Sequence, residues 1–546
     1  MRITGSRTEP AQTGDSPSPV GGCPQGGASS GEARGSGTPR SRGRSGGVGL
    51  RSVPALAAAL LVSTVALAPS ADARTPGGSG APGAAQRLDW QPCPGKGLDP
   101  RQECATLRVP LDYSAPRGEQ IDLAISRIRG ERPQARRGTL LLIPGGPGSS
   151  SINGPSTTGQ KLPQSVRDAY DIVGFDPRGL GHSSPVSCEL DHDDLALTRL
   201  HPYPDADGGI DGNVATGRRL AERCARNGGP VLRSISTRNE ARDMDRIRRA
   251  LGERKLSAWG VSYGTYAGAV YAQMFPDRTD RWVLDSVDDP DPARVARGWL
   301  ANYAVGVEDT FPDFAAWAAD PANPDRLAHD PAKVRPMFLA LAARLDREPI
   351  PWPGANPAEL NGNVLRDTLL SSLYSKSHFP ALAQLIRAAR DGSPLPAAST
   401  PPDEAMQASV AVSGATICND VSWPTSLPDY RKAIAESRRT HPLTGGMPVG
   451  VGLCPFWSQP REKPVRITDR GPSNVLLIQN RRDPSTPLSG ARKMRQAFGD
   501  RARMVIVDSF GHNVYMANGN SCGDRAVTDF LISGKRPSGD LECPAE

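Results

Sequence analysis

Histidine is scarce in this chain, with 7 in 546 residues, and aromatic residues make up only 5%. No C-x-x-C pair, no H-E-x-x-H helix and no histidine cluster occurs, which argues against a metal site. No dense Lys/Arg run with interleaved aromatics is present, which argues against nucleic-acid binding. The formal net charge is +7. Residues 1–73 carry seven Arg and four acids, or +3, so only about +4 is spread over the other 473 residues. Long apolar runs are missing too. The one candidate, Val53–Ala68, is short for a membrane span, and internal repeats are absent.

What the chain does have is turn formers, 58 Gly and 53 Pro, within a composition that is 37% hydrophobic and 23% charged. That combination describes a globular protein with many loops. Residues 1–50 are rich in Gly, Ser, Pro and Arg. They are followed by Arg51, the apolar run Val53–Ala68 and Ala71-Asp72-Ala73. A basic flank, an apolar core and an A-x-A motif predict a secretory signal cut after Ala73, so residues 1–73 read as leader and the mature protein as secreted. A retained signal anchor is the alternative, and a true start nearer Val48 would explain the long basic region. Residues 74–87 read as a flexible linker. Cys23 falls in the leader, leaving Cys93, Cys104, Cys188, Cys224, Cys418, Cys454, Cys522 and Cys543. An even number in an exported chain predicts disulfides. Eight cysteines allow on the order of a hundred pairings; sequential pairing is the expectation, because each bridge then closes a local loop.

The folded part is expected to begin near Leu88. Ala105–Tyr113 and Gln120–Ile128 have strand patterns suited to an opening antiparallel pair. Thr139–Ile143, Asp171–Phe175, Lys255–Trp259, Trp282–Val287, Asn474–Gln479 and Ala502–Val507 are short apolar runs. The helical stretch Arg238–Leu251 lies among them. Strands buried on both faces and alternating with helices predict a mostly parallel, doubly wound α/β sheet. Residues 292–470, helical and interrupted by prolines, read as a cap inserted between core parts 88–291 and 471–546. A smaller insert spans about Cys188–Arg233.

One segment carries chemistry. Lys255–Thr265 reads KLSAWGVSYGT, and Thr265–Phe275 favours helix. Gly260-Val261-Ser262-Tyr263-Gly264 between strand and helix is the setting of a nucleophile elbow, where the flanking glycines avoid collisions around a strained turn. A serine hydroxyl needs a base, and in this arrangement the partners follow in the order Ser, acid, His. Of the four histidines after Ser262, namely His329, His378, His441 and His512, only His512 follows the late strands. Asp483, after Asn474–Gln479, is the expected acid, and Asp285 is its rival. The expected oxyanion donors are the N–H groups of Tyr263 and of Gly146 in Pro144-Gly145-Gly146-Pro147-Gly148. That loop lacks a G-K-[ST] ending, which weakens a phosphate-binding reading. Arg178, in Asp176–Ser183, is expected to pair internally and hold its loop.

Taken together, GGPG, DIVGFDPRGLGHSSPVSC, GVSYGT, DPSTP and the late Gly511-His512 resemble the secreted bacterial tripeptidyl aminopeptidases. These form part of the prolyl-aminopeptidase-like branch of the α/β-hydrolases. The resemblance covers about residues 88–543. It implies a triad of Ser262, Asp483 and His512, an oxyanion hole at Gly146 and Tyr263, and no metal or organic cofactor. It also implies a peptide substrate with a free N-terminus, cut to release a short N-terminal unit. A monomer with no nucleic-acid partner and no stable membrane span after signal cleavage is the further expectation. Such enzymes hold the substrate ammonium with acids of the cap; here the candidates are Asp403, Glu404 and Asp420. One departure is Ser149-Ser150-Ser151, where relatives continue the GGPG loop with Gly-Ser-Gly, which predicts a stiffer or narrower loop. An esterase or amidase for small non-peptide substrates is the alternative function, and a non-catalytic binding protein is a third.

Overall fold

Runs that are apolar at every position form the interior of one sheet. The computed structural model describes residues 87–292, 295–398 and 400–546. The leader, its cleavage signal, Cys23 and the linker up to residue 86 lie outside them.

The strands are β1 (Gln91–Pro92), β2 (Glu103–Pro110), β3 (Gln120–Ile128), β4 (Gly138–Ile143), β5 (Tyr170–Phe175), β6 (Leu256–Ser262), β7 (Thr279–Val287), β8 (Ile350–Pro351), β9 (Glu359–Leu360), β10 (Val475–Arg482), β11 (Ala502–Phe510) and β12 (Leu541–Cys543). Ten of them form one sheet in the order β1-β2-β3-β5-β4-β6-β7-β10-β11-β12, and β8 pairs only with β9. The β2–β3 pair is antiparallel, as expected, and so are β1–β2 and β3–β5. Every pairing from β5 to β12 is parallel. Side chains alternate between two apolar layers. Leu141, Ile143, Ala258, Trp282 and Leu477 enter one, and Leu140, Leu142, Trp259, Val283 and Leu476 enter the other. A strand that buries both faces is mostly apolar, which is why these runs read almost continuously.

Helices cover both faces. α1 (Thr158–Lys161) and α2 (Gln164–Ala169) connect β4 to β5. α3 (Leu197–Leu200), α4 (Asp211–Asn227), α5 (Gly229–Ser234) and α6 (Thr237–Ala250) precede β6, and α7 (Tyr263–Met274) follows it. Between β7 and β10 run α8 (Val295–Ala319), α9 (Pro331–Leu345), α10 (Gly362–Ser372), α11 (Phe379–Asp391), α12 (Asp403–Asp420) and α13 (Leu427–Thr440). α14 (Leu488–Phe498) and α15 (Ser521–Ser533) complete the chain. The prolines of this insertion do less breaking than expected. Pro331, Pro380 and Pro428 stand in the first turn of α9, α11 and α13, where a missing N–H leaves nothing unpaired. Pro312 lies inside the 25-residue α8. Its neighbours Phe311 and Phe314 are buried, and that packing holds the helix through the lost hydrogen bond.

The chain leaves β5 for β6 by passing back across β4. This reversal opens a crevice at the carboxyl ends of β4 and β6, the place where open α/β sheets bind ligands. The four disulfides are sequential: Cys93–Cys104, Cys188–Cys224, Cys418–Cys454 and Cys522–Cys543. Among the described residues no helix is long and apolar enough to cross a membrane, and no cluster of three potential metal ligands occurs.

Candidate active site

β6 ends at Ser262 and α7 begins at Tyr263, so strand passes to helix without a loop. Ser262 pays for this in backbone strain, with φ 57° and ψ −128°. Both flanking glycines are required by close approach. A Cβ on Gly260 would collide with the carbonyl oxygen of Gly264, and a Cβ on Gly264 with that of Ile143 at the end of β4. Thr265 Oγ1 donates to the Ser262 carbonyl at 2.6 Å and accepts from Asp288 N at 3.0 Å, tying the elbow to the end of β7.

Asp483 follows the last residue of β10 and is fully buried. Its Oδ1 accepts from the N–H groups of Ser485 (2.9 Å) and Thr486 (2.8 Å), and its Oδ2 accepts from Thr486 Oγ1 (3.0 Å). Both carboxylate oxygens lie 3.0 Å from His512 Nδ1. The imidazole is held from the other side by Tyr374, just after α10. Its carbonyl accepts from His512 N at 2.9 Å, and its ring meets the imidazole edge-on at 4.8 Å. The preceding Gly511, at φ 98°, leaves room for the Tyr374 carbonyl.

The loop beyond His512 is pinned to β7. Asn513 N donates to Ser286 Oγ at 2.9 Å, and Val514 N and Tyr515 N donate to the two oxygens of Asp285 at 3.0 Å each. The rival acid thus binds main chain, together with Trp259 Nε1 at 3.3 Å, while Asp483 binds the imidazole. Ser262 pairs with Val287 in the β6–β7 register, which brings the elbow to the strand end that anchors the histidine loop. Among the described residues, no hydrogen bond joins Ser262 Oγ to His512. Such bonds are often long in unliganded enzymes.

Burial pulls the His512 pKa down, but the charge and hydrogen bond of Asp483, with Asp288 and Asp285 nearby, outweigh it and leave the group above its usual 6.5. Burial pushes Asp285 up to about 6, against the donors it receives, and Asp288 up to about 8.

Tyr263 opens α7, where the first N–H groups have no acceptor within the helix. In the GGPG loop it is Gly145 that lies against the elbow. A Cβ there would stand 3.2 Å from both Ser262 Cβ and the Val261 carbonyl oxygen, and Gly146 is the next residue, at φ 104°. The serines after the loop brace it. Ser150 Oγ donates to Asp176, and Ser151 Oγ donates to the Leu142 carbonyl at 2.8 Å and accepts from Phe175 N at 3.0 Å. Arg178 is buried and pairs with Asp243 through Nε (2.7 Å) and Nη2 (2.6 Å). Of the three candidate acids for a substrate ammonium, Asp403 is half-buried and paired with His192 at 2.9 Å, Glu404 is exposed, and Asp420 is buried with both oxygens on Thr237.

The role of Tyr374 is not legible in the sequence, since nothing local marks an aromatic there as a partner of a residue 138 positions away. Thr486 was open to reading. An Asp followed three residues later by a hydroxyl residue is a common turn in which the carboxylate accepts local N–H groups.

Residues 445–543, which span β10, Asp483, β11 and His512, match a family model described as TAP-like protein. The tripeptidyl aminopeptidase of Streptomyces lividans is 33% identical over 471 residues, covering 84% of this chain and 86% of that protein. The serine protease Hip1 of Mycobacterium tuberculosis is 30% identical over 493 residues, covering 84% and 91%. A carboxylesterase B of the same species is 29% identical over 489 residues, covering 85% and 91%. The chain belongs to the tripeptidyl-aminopeptidase-like family of serine peptidases, built on the α/β-hydrolase fold.

Proposed function

We propose that this protein is an exported exopeptidase that releases short N-terminal peptides, using Ser262 as nucleophile, His512 as base and Asp483 as the acid that orients it. The observation that carries the reading is the 3.0 Å pairing of Asp483 with His512 on a loop anchored to the strand beside Ser262. Export is supported by the leader pattern and by four disulfides, which persist in oxidising compartments. Residues 292–470 act as the cap over core parts 88–291 and 471–546, and the enzyme works as a monomer on a peptide with a free N-terminus.

Ser262 Oγ attacks the scissile carbonyl carbon while His512 Nε2 takes the hydroxyl proton. The imidazolium is stabilised by Asp483, which stays ionised. Negative charge builds on the carbonyl oxygen, where the N–H groups of Tyr263 and Gly146 receive it. As the tetrahedral intermediate collapses, the C–N bond breaks and His512 returns the proton to the departing amine. Water, activated by the same imidazole, then attacks the acyl-enzyme and frees Ser262.

A second reading, an esterase or amidase for small substrates, is favoured by the resemblance to the mycobacterial carboxylesterase B. Hydrolysis of a tripeptide anilide with a free amine, of its N-acetylated twin and of a short p-nitrophenyl ester separates the two, with Ser262→Ala as control. The exopeptidase reading expects the free-amine anilide to be cleaved and its acetylated twin to be spared. Equal cleavage of the twins, or turnover of the ester alone, supports the second reading.

A further inference from the structure

One helix of the insertion reaches both sides of the elbow. Midway along α12, Ser409 Oγ donates to the Gly148 carbonyl at 2.8 Å. The approach is so close that a Cβ on Gly148 would collide with the Ser409 carbonyl oxygen and stand 3.2 Å from Ser413 Cβ. Gly148 closes the loop that carries Gly145 and Gly146. At the far end of α12, buried Asp420 accepts from Thr237 N at 2.9 Å and from Thr237 Oγ1. Thr237 Oγ1 lies 2.9 Å from the Tyr263 hydroxyl, which lies 2.7 Å from Glu240 Oε2. The helix end is stapled by Cys418–Cys454, and Asn419 Nδ2 donates to the Ile235 carbonyl at 2.8 Å.

We propose that α12 is a positioning element for the oxyanion hole, acting through Asp420 and Thr237 on Tyr263 and through Ser409 on the loop of Gly146. The proposal rests on the oxyanion assignment above.

Counting protons shows why the chain of contacts is rigid. Three contacts link Asp420, Thr237, Tyr263 and Glu240, while the two hydroxyls supply two protons. The third proton must sit on a carboxyl. Burial pushes Glu240 up to about 8, so Glu240 holds it at neutral pH. The contacts then run in one direction, ending on the Asp420 carboxylate, and neither hydroxyl can rotate without losing a partner. Among the described residues Glu240 Oε1 has no hydrogen-bond partner, so this polar chain fills the core less favourably than apolar residues would. Its one geometric product is a fixed Tyr263 at the residue after Ser262. Donors aimed at a developing oxyanion gain most when they need no reorganisation.

The test compares Asp420→Asn, Tyr263→Phe and Ser409→Ala with wild type. It measures kcat and KM on whichever of the anilide or the p-nitrophenyl ester wild type turns over. It also measures the affinity of a peptide aldehyde, whose adduct places an oxyanion in the hole, and melting temperature. The expected result is a fall in kcat of roughly tenfold, KM within about twofold, and aldehyde affinity falling in step with kcat/KM. Melting temperature does not substitute for these readouts, because a merely structural role lowers it alone. Unchanged kcat and aldehyde affinity in all folded variants would overturn the proposal, as would a rise in KM with kcat intact. Tyr263→Phe keeps the ring and Ser409→Ala acts at the opposite end of α12, so a misfolded Asp420→Asn leaves two variants to decide. Turnover of the ester alone by wild type counts against the exopeptidase reading while the aldehyde and kcat comparisons still decide this one.

Discussion

The ends of β7 and β10 lie side by side in the sheet, and each presents a buried aspartate to the same loop. Asp285 on β7 takes its donors from main chain, the N–H groups of Val514 and Tyr515, plus the Trp259 indole. Asp483 beyond β10 takes local N–H groups and the imidazole of His512. Both are carboxylates in the interior, yet one fixes where the loop runs and the other fixes how the histidine is charged and turned. What separates them is the partner each receives, which follows from where the loop crosses each strand end. A carboxylate under a ring nitrogen sets a tautomer, whereas one under two amides is a structural clamp.

Substitutions can break or sharpen that contrast. The largest effect expected is that of Ser262→Ala, which should remove about a million-fold in kcat while leaving the fold intact, by steady-state kinetics and circular dichroism. Asp483→Asn comes next, with a loss in kcat of roughly ten-thousand-fold and little change in KM, because the amide favours the wrong tautomer of His512. Asp285→Asn should act mainly on stability. The new amide leaves a main-chain N–H without an acceptor, at about 1–3 kcal/mol by denaturant melts. A kcat loss equal to that of Asp483→Asn would erase the distinction between the two strand ends.

Two smaller effects concern pH. The pKa of His512 is raised above 6.5, so the acid limb of kcat/KM is expected above 6.5, and the residual activity of Asp483→Asn should have its limb lower. A limb that does not move would separate Asp483 from the imidazole. For stability, burial raises Asp285 and Asp420 from 3.8 to about 6, and Glu240 from 4.5 to about 8. A group with a raised folded pKa contributes fully below its unfolded value, and the contribution is lost as pH climbs through the folded one. Stability should therefore decline from about pH 4 to pH 8, and Glu240→Gln should flatten the upper part of that decline in calorimetry. Stability that rises over this range would contradict the burial of these acids.

Strands β4, β5 and β10 are legible because each holds a short, almost wholly apolar run, which admits little else once both faces are covered. The elbow was legible because a strand, G-x-S-x-G and a helix leave one geometry, and His512 because chain order eliminated the other histidines. α4 was missed. Its sequence, with Asp211, Gly212, Asn213 and Gly217, is polar and glycine-rich, and it is held by packing of Leu220, Ala221 and Cys224 rather than by propensity. In the sequence Asp420 reads as a candidate for the substrate amine, because a polar residue looks the same there whether solvated or buried. Its partner Thr237 is 183 residues away, and only the fold brings the two together.

The most direct measurement is covalent labelling of the purified protein with a fluorophosphonate, read by peptide mapping and by rate. The account predicts one adduct, on Ser262, that is absent in Ser262→Ala and forms far more slowly in His512→Ala and Asp483→Asn. An adduct on another residue, or a rate unchanged by loss of His512, would contradict it.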